Sequence, residues 1–71
     1  MNDLVVSVNG DPMALPQGSM ISDVVARLLE GAEPKGIAVA VDLDVIPRSE
    51  WPTTPVRPGA PIEIVTAAAG G

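Results

Sequence analysis

The segment LVVSVNGDPMALPQGSMISDVVARLLEG, residues 4–31, joins a strand-like pattern directly to a helix-like one. Residues 4–8 are rich in β-branched side chains and lead into Asn9-Gly10, a dipeptide that tolerates positive φ at both central positions of a tight turn. Residues 13–15 predict a short return strand that stops at Pro16. A β-hairpin is therefore expected to open the fold.

The second part of this segment predicts an amphipathic helix. Five apolar residues recur at the spacing of one helix face, and they are Ile21, Val24, Val25, Leu28 and Leu29. Ser19 or Ser22 is expected to cap the start, and Asp23 lies in the first turn, where the helix dipole favours a negative charge. Gly31 suits the position after the helix, and Pro34 prevents the helix from continuing.

The remaining residues predict further strands around one irregular connection. Residues 37–41 alternate larger aliphatic residues with alanine, which favours an inner strand whose second face is also covered or lies close to another surface. A turn leads to residues 45–47, whose proline indicates a sheet edge. Residues 48–61 are rich in proline and predict a surface connection, and residues 62–65 predict a last apolar strand. The order favours one small α+β domain with a helix packed across a sheet.

Composition and charge disfavour several classes of function. The 71 residues are 46% hydrophobic and 18% charged, which favours a folded domain over a disordered chain. The net charge of −5 disfavours binding to nucleic acid or an anionic membrane and favours a partner with a basic face. The sequence has no cysteine or histidine, so disulfides and the usual zinc sites are not expected. It has no signal-peptide pattern, so a cytoplasmic location is expected.

Side chains predict little catalytic chemistry. Asp42 and Asp44 flank a turn, but their spacing matches no calcium loop, and a solvated turn is the favoured interpretation. The glycines at the turns lie in no phosphate-binding pattern, and serine and threonine have no histidine to activate them. We therefore expect no metal, no cofactor bound by the protein itself, and no enzymatic activity.

The C-terminal residues carry the main functional signal. After Val65 the chain continues through small residues to Gly70-Gly71. Because glycine has no side chain, such an end can pass through a narrow channel, and residues 67–71 can extend about 16 Å. Adenylation by ATP would make the terminal carboxylate reactive toward sulfur or an amine. The competing interpretation is an ordinary loose terminus.

Two motifs, VIPRSEW at residues 45–51 and PGAPIEIVTAAAGG at residues 58–71, resemble those of the ThiS family of sulfur carriers in the ubiquitin-like β-grasp superfamily. Length and element order fit along essentially the whole chain. The resemblance implies a β-grasp domain over residues 1–66, with a mixed sheet of four to five strands, one main helix, and the last strand in the middle and parallel to the first. Residues 67–71 would be a flexible tail.

The resemblance also implies a carrier cycle at Gly71. An E1-like enzyme of the ThiF type would use ATP to adenylate its carboxylate, and a system such as a cysteine desulfurase would supply sulfur for a thiocarboxylate. A thiazole synthase of the ThiG type would accept that sulfur for the thiazole moiety of thiamin. Gly70 and Ala69 would thread into the activating enzyme. Candidate docking residues are Val65, Ala67 and Trp51, although packing over a core without other aromatic residues is the favoured interpretation of Trp51.

Three alternatives remain open from the sequence. The first is a sister carrier that serves molybdopterin, cysteine or tRNA thiolation, although such relatives usually lack the P-R-x-x-W segment. The second is a ubiquitin-like modifier whose Gly71 forms isopeptide bonds. The third is a plain binding module whose tail has no role. Gly59-Ala60 and Met20 depart from the Gly-Asp and Thr common in the ThiS family, which affects a turn and a helix cap.

Overall fold

A computed structural model describes residues 3–30 and 35–66. The described elements are β1 (Asp3–Val8), β2 (Asp11–Pro16), α1 (Ile21–Leu29), β3 (Ile37–Val41), β4 (Asp44–Ile46), a 3₁₀ helix (Arg48–Thr53) and β5 (Ile62–Thr66). The strands form one sheet in the order β2-β1-β5-β3-β4. β5 runs parallel to β1, and the other neighbouring pairs are antiparallel. The sheet and its helix confirm the predicted β-grasp fold.

The opening hairpin has the predicted two-residue turn. Val8 pairs with Asp11, and the two residues between them, Asn9 and Gly10, have φ of 53° and 87°. Positive φ at both positions matches the right-handed twist of the two strands. The pairing runs without a break to Asp3 opposite Pro16, where β2 ends.

The helix follows the predicted period, and its N-terminal cap differs from the prediction. Ile21, Val24 and Val25 are buried and Leu29 packs against the core, but Leu28, predicted on the same face, is 41% exposed. The Met20 amide donates to the Asp23 carboxylate at 2.7 Å, so Asp23 satisfies the first exposed donor of the helix. The predicted serine cap is wrong, because the Ser19 hydroxyl donates back to the Pro16 carbonyl at 2.7 Å.

At its other end the helix stops at Leu29. Glu30 is left-handed, with φ of 52°, and its amide donates to the Ala26 carbonyl. The residues predicted to end the helix, Gly31 and Pro34, lie outside the described residues.

The core lies between α1, the 3₁₀ helix and one face of the sheet. Its buried members are Leu4, Val6, Val8, Leu15, Ile21, Val24, Val25, Val39, Trp51, Val56, Ile62 and Ile64. The predicted surface character of residues 48–61 is therefore wrong at Val56, whereas the burial of Trp51 confirms its favoured interpretation as a core residue. Backbone hydrogen bonds hold this connection against the start of α1, since the Ile21 amide donates to the Thr54 carbonyl and the Val56 amide to the Ser19 carbonyl.

β3 is an inner strand and β4 an edge, as predicted. The expected cover on the second face of β3 is not found among the described residues, where Ala40 is half-buried. Val39 is buried on the core side, whereas Ala38 is exposed on the other side. The small side chains therefore line a sheet face on which nothing packs within the described residues.

Candidate functional site

β5 is the strand from which the chain continues to the C-terminus. It pairs with β3 along its whole length, from Val41 opposite Ile62 to Ile37 opposite Thr66, and it meets β1 on its other side. Ile62 and Ile64 are buried in the core, as predicted. The polypeptide is thus fixed in the middle of the sheet up to Thr66.

The residues predicted to react or to thread lie beyond this strand. Gly71, Gly70, Ala69 and Ala67 are outside the described residues, so their predicted roles stay predictions. What the structure adds is the anchored strand from which they continue.

Asn9 extends the pairing of β5 past the end of β1. Its backbone amide donates to the Ile62 carbonyl at 2.8 Å. Its side-chain amide then donates to the Ile64 carbonyl at 3.1 Å, and its side-chain oxygen accepts from the Ile64 amide at 2.8 Å. The sequence indicated Asn9 only as a turn residue, because contacts across 55 positions leave no local signal.

The sheet face opposite α1, here called the open face, is rich in small and aliphatic side chains. Its apolar members, by the register of the strands, are Val5, Ala14, Ala38, Ala40, Val45 and Val65. Val5, Val45 and Val65 are 55%, 72% and 60% exposed. Scattered exposed apolar residues are ordinary, but a contiguous group commonly marks an interaction site, and Ala38, Ala40, Val45 and Val65 lie on three neighbouring strands. Val65, a predicted docking residue, lies on this face.

One carboxylate lies among the apolar side chains of the open face. Glu63 stands between Ile62 and Ile64 in sequence but points to the opposite side, beside Ala40 of β3. Its side chain is exposed. A carboxylate in this setting favours a partner surface that is mostly apolar and carries a basic group.

A cleft continues the open face toward the hairpin turn. It has a volume of about 460 Å³ and is lined by Val5, Ser7, Gly10, Pro12, Gly59 and Pro61, among others. Gly10 and Gly59 have φ of 87° and 85°, so both turns adopt a backbone conformation that favours glycine. The lining is mostly apolar, and it suits side chains of a protein partner more than a charged small molecule.

Trp51, the third candidate for docking, lies in the core. Its side chain is 5% exposed, and its indole N–H donates to the Ile46 carbonyl at 3.0 Å. The Arg48 guanidinium lies 5.9 Å from the ring centroid. The favoured interpretation, in which Trp51 packs over the core, therefore describes its position, and little of the ring is open to a partner.

The described residues offer no metal centre. Across residues 3–30 and 35–66, no group of three or more histidine, cysteine, aspartate or glutamate side chains is arranged to hold an ion. Asp42 is a left-handed turn residue with φ of 52°, and both Asp42 and Asp44 are exposed, in keeping with a solvated turn. No helix in the described part of the chain is both long and apolar enough to cross a membrane.

Comparisons with known proteins agree with this architecture. The model of the ThiS family matches residues 4–71. The crystal structure of the thiamine biosynthesis protein ThiS from Geobacter metallireducens superposes with a TM-score of 0.74 at 21% sequence identity, covering 96% of this chain and all of that chain. At that identity the likeness concerns the fold. No curated protein sequence matches the chain.

Proposed function

Since the chain belongs to the ThiS family, the sulfur carriers of thiamin biosynthesis, we propose that its sulfur is carried as a thiocarboxylate on Gly71. The observation that supports this most directly is the position of β5. A strand paired in the middle of the sheet leads in five residues from Thr66 to the terminal Gly71. Residues 1–66 would act as the part that a partner holds, and residues 67–71 as the part that reaches the reactive centre.

The proposed chemistry needs no side chain of the carrier. The Gly71 carboxylate attacks the α-phosphorus of ATP and forms an acyl adenylate. The bond between the α-phosphorus and the bridging oxygen breaks, and pyrophosphate leaves. Hydrosulfide then attacks the acyl adenylate, and AMP leaves while the thiocarboxylate forms. No net oxidation or reduction occurs in either step. Sulfur that a cysteine desulfurase supplies as a persulfide would first be released at the sulfide level by a thiol reductant, which is oxidised to a disulfide. The activating partner holds the ATP, so the carrier is a substrate and not an enzyme.

The open face would dock the partners. Val65, with Ala67 two residues further on, would enter the apolar contact, and Glu63 would meet a basic group. The partners implied are an E1-like adenylating enzyme of the ThiF type, a thiazole synthase of the ThiG type and a sulfur donor such as a cysteine desulfurase. In this proposal, the three partners act on the carrier in the cytoplasm.

Intact mass spectrometry tests the proposal. The full chain is incubated with an adenylating partner, ATP and sulfide, and fragmentation locates any change. We expect one oxygen to be replaced by sulfur at Gly71, and a variant that lacks Gly71 to be unchanged. An unchanged mass of the parent, with the enzyme active on another carrier, would contradict the proposal.

The acceptor is tested separately. The thiocarboxylate form is offered to a thiazole synthase and, in parallel, to a molybdopterin synthase large subunit. Transfer to the first supports the thiamin assignment. Transfer to the second alone indicates a sister carrier, and isopeptide conjugates in place of sulfur transfer indicate a protein modifier.

A further inference from the structure

Asn9 lies just after β1, where the main chain leaves its position beside β5 and turns into β2. After Val8 the main chain of β1 turns away into β2, and the backbone pairing between β1 and β5 ends at Val8 opposite Ile62. β5 continues for four more residues to Thr66. Without another group on this side, the Ile64 amide and carbonyl would be left without a protein partner.

The Asn9 carboxamide takes the place of the peptide unit that β1 no longer supplies. One donor and one acceptor on the same group meet the carbonyl and the amide of Ile64, at 3.1 and 2.8 Å. The Asn9 backbone meanwhile forms the left-handed first position of the turn, with φ of 53°. One residue thus closes the hairpin with its backbone and extends the β5 pairing with its side chain.

The turn alone does not require asparagine. Glycine and aspartate also accept positive φ at this position of a hairpin. Glycine lacks both hydrogen-bonding groups, and an ionised aspartate has only acceptors. Among the residues that suit this turn, asparagine is the one that can bond both backbone groups of Ile64.

We infer that Asn9 is a positioning residue for the C-terminal carboxylate, acting through β5 and touching none of the reacting atoms. The inference depends on the proposed function at Gly71. Ile64 lies seven positions before Gly71, and the direction of β5 from Ile64 to Thr66 sets the point from which the C-terminal residues begin. A fixed strand direction raises the fraction of docked carriers whose terminus meets the reactive centre.

Asn9→Gly tests this directly, because it keeps a turn-compatible residue and removes both side-chain bonds. Asn9→Asp removes only the donor. The matched control is Asp11→Asn, which alters an exposed side chain in the same hairpin. Two measurements are made on each full-length variant: hydrogen exchange of the Ile64 amide relative to the Val39 amide, and steady-state thiocarboxylation of Gly71 by the adenylating partner.

We expect the Ile64 amide of Asn9→Gly to exchange about tenfold faster relative to Val39, as the loss of local bonding predicts. The kcat for activation should fall about tenfold with KM changed less than about twofold, since docking through the open face is unaffected and only the positioning is lost. Asn9→Asp keeps the acceptor for the Ile64 amide, so exchange at this amide should change less than in Asn9→Gly, and Asp11→Asn should match the parent.

Unchanged exchange at Ile64 would overturn the inference, and so would faster exchange with a parental kcat. A rise in KM alone would also overturn it, because Asn9 would then act as a docking contact. If the parent itself is not activated, the proposed function fails. The exchange measurement then still decides whether Asn9 holds β5.

Discussion

Single side chains hold the irregular parts of this protein. The 3₁₀ helix is attached to the end of β4 by Trp51, whose indole donates to the Ile46 carbonyl at 3.0 Å. Arg48 lies over the outer face of the same ring, an arrangement that contributes about 0.5–1 kcal/mol at exposed sites. Trp51 is the only aromatic residue in the sequence, so no other ring shares this role.

Replacing Trp51 by phenylalanine separates its hydrogen bond from its bulk. We expect Trp51→Phe to lower the free energy of unfolding by about 1–2 kcal/mol through the lost indole donor. Trp51→Ala should cost about 3–5 kcal/mol, because it also leaves a cavity. Urea unfolding measures both. A Trp51→Phe variant as stable as the parent would show that the hydrogen bond contributes nothing, and equal losses in the two variants would show that the bulk of the ring does not.

Gly70 is expected to matter for activation and not for stability. A side chain at this position should block passage through a channel that admits only glycine, so Gly70→Val should lower the activation rate by about 100-fold or more. Its melting temperature should equal that of the parent, because residues near a terminus contribute few contacts. Mass spectrometry of Gly71 and calorimetry measure the two quantities. Activation at the parental rate would contradict the threading interpretation.

The outer edge of β2 is protected against pairing with another chain. The pair that closes a two-residue hairpin, here Val8 and Asp11, is joined by two backbone hydrogen bonds. Every second residue of β2, beginning with residue 12, therefore points its backbone groups away from β1. Two of these outward positions are Pro12 and Pro16, which have no amide hydrogen. Between them, the Ala14 carbonyl accepts from the Arg27 guanidinium at 3.1 Å. This edge therefore offers few groups to an incoming strand.

The double variant Pro12→Thr, Pro16→Thr should restore two outward donors and promote self-association. Sedimentation velocity over a range of concentrations is the measurement, and dimers or larger species are expected where the parent shows none. Pro58→Thr is the control, because it removes a proline outside any strand. A double variant with the sedimentation behaviour of the parent would show that the prolines do not protect the edge.

Val65 tests the open face as a docking surface. Val65→Glu places a charge on the apolar face beside Ala38, whereas Leu28→Glu places the same charge on α1, where Leu28 is 41% exposed. A charge without a partner in an apolar interface should raise KM for activation about tenfold or more in the first variant. The second should stay within about twofold of the parent, provided that melting curves show both folded. Equal KM values in the two variants would place the docking surface elsewhere.

At the scale of the whole molecule, the net charge of −5 should steer the carrier toward basic partners. The association rate with the adenylating enzyme should fall as salt rises from about 0.05 to 0.5 M, because screening shortens the range of the attraction. The dissociation rate should change less. Stopped-flow measurements give both rates. A salt-independent association rate would show that charge does not guide the encounter.

Local chemistry explains which parts of the fold were predictable. The Asn9-Gly10 turn and the period of α1 depend on neighbours within a few residues, and both were confirmed. The cap of α1 was missed because Ser19 and Asp23 are both suitable polar residues, and only the path of the chain decides which of them reaches the helix amides. The alanines of β3 fitted either a covered or an uncovered face, since small size does not show what lies above it.

The sequence by itself determined the hairpin, the helix, the inner and edge strands and, through two motifs, the family, because these follow from local conformational preferences and residue type. Tertiary structure decided the rest. The exposure of the open face and the attachment of Asn9 to Ile64 depend on residues that lie far apart in the chain. Such contacts form only when the strands have assembled into one sheet, and no local sequence pattern predicts them.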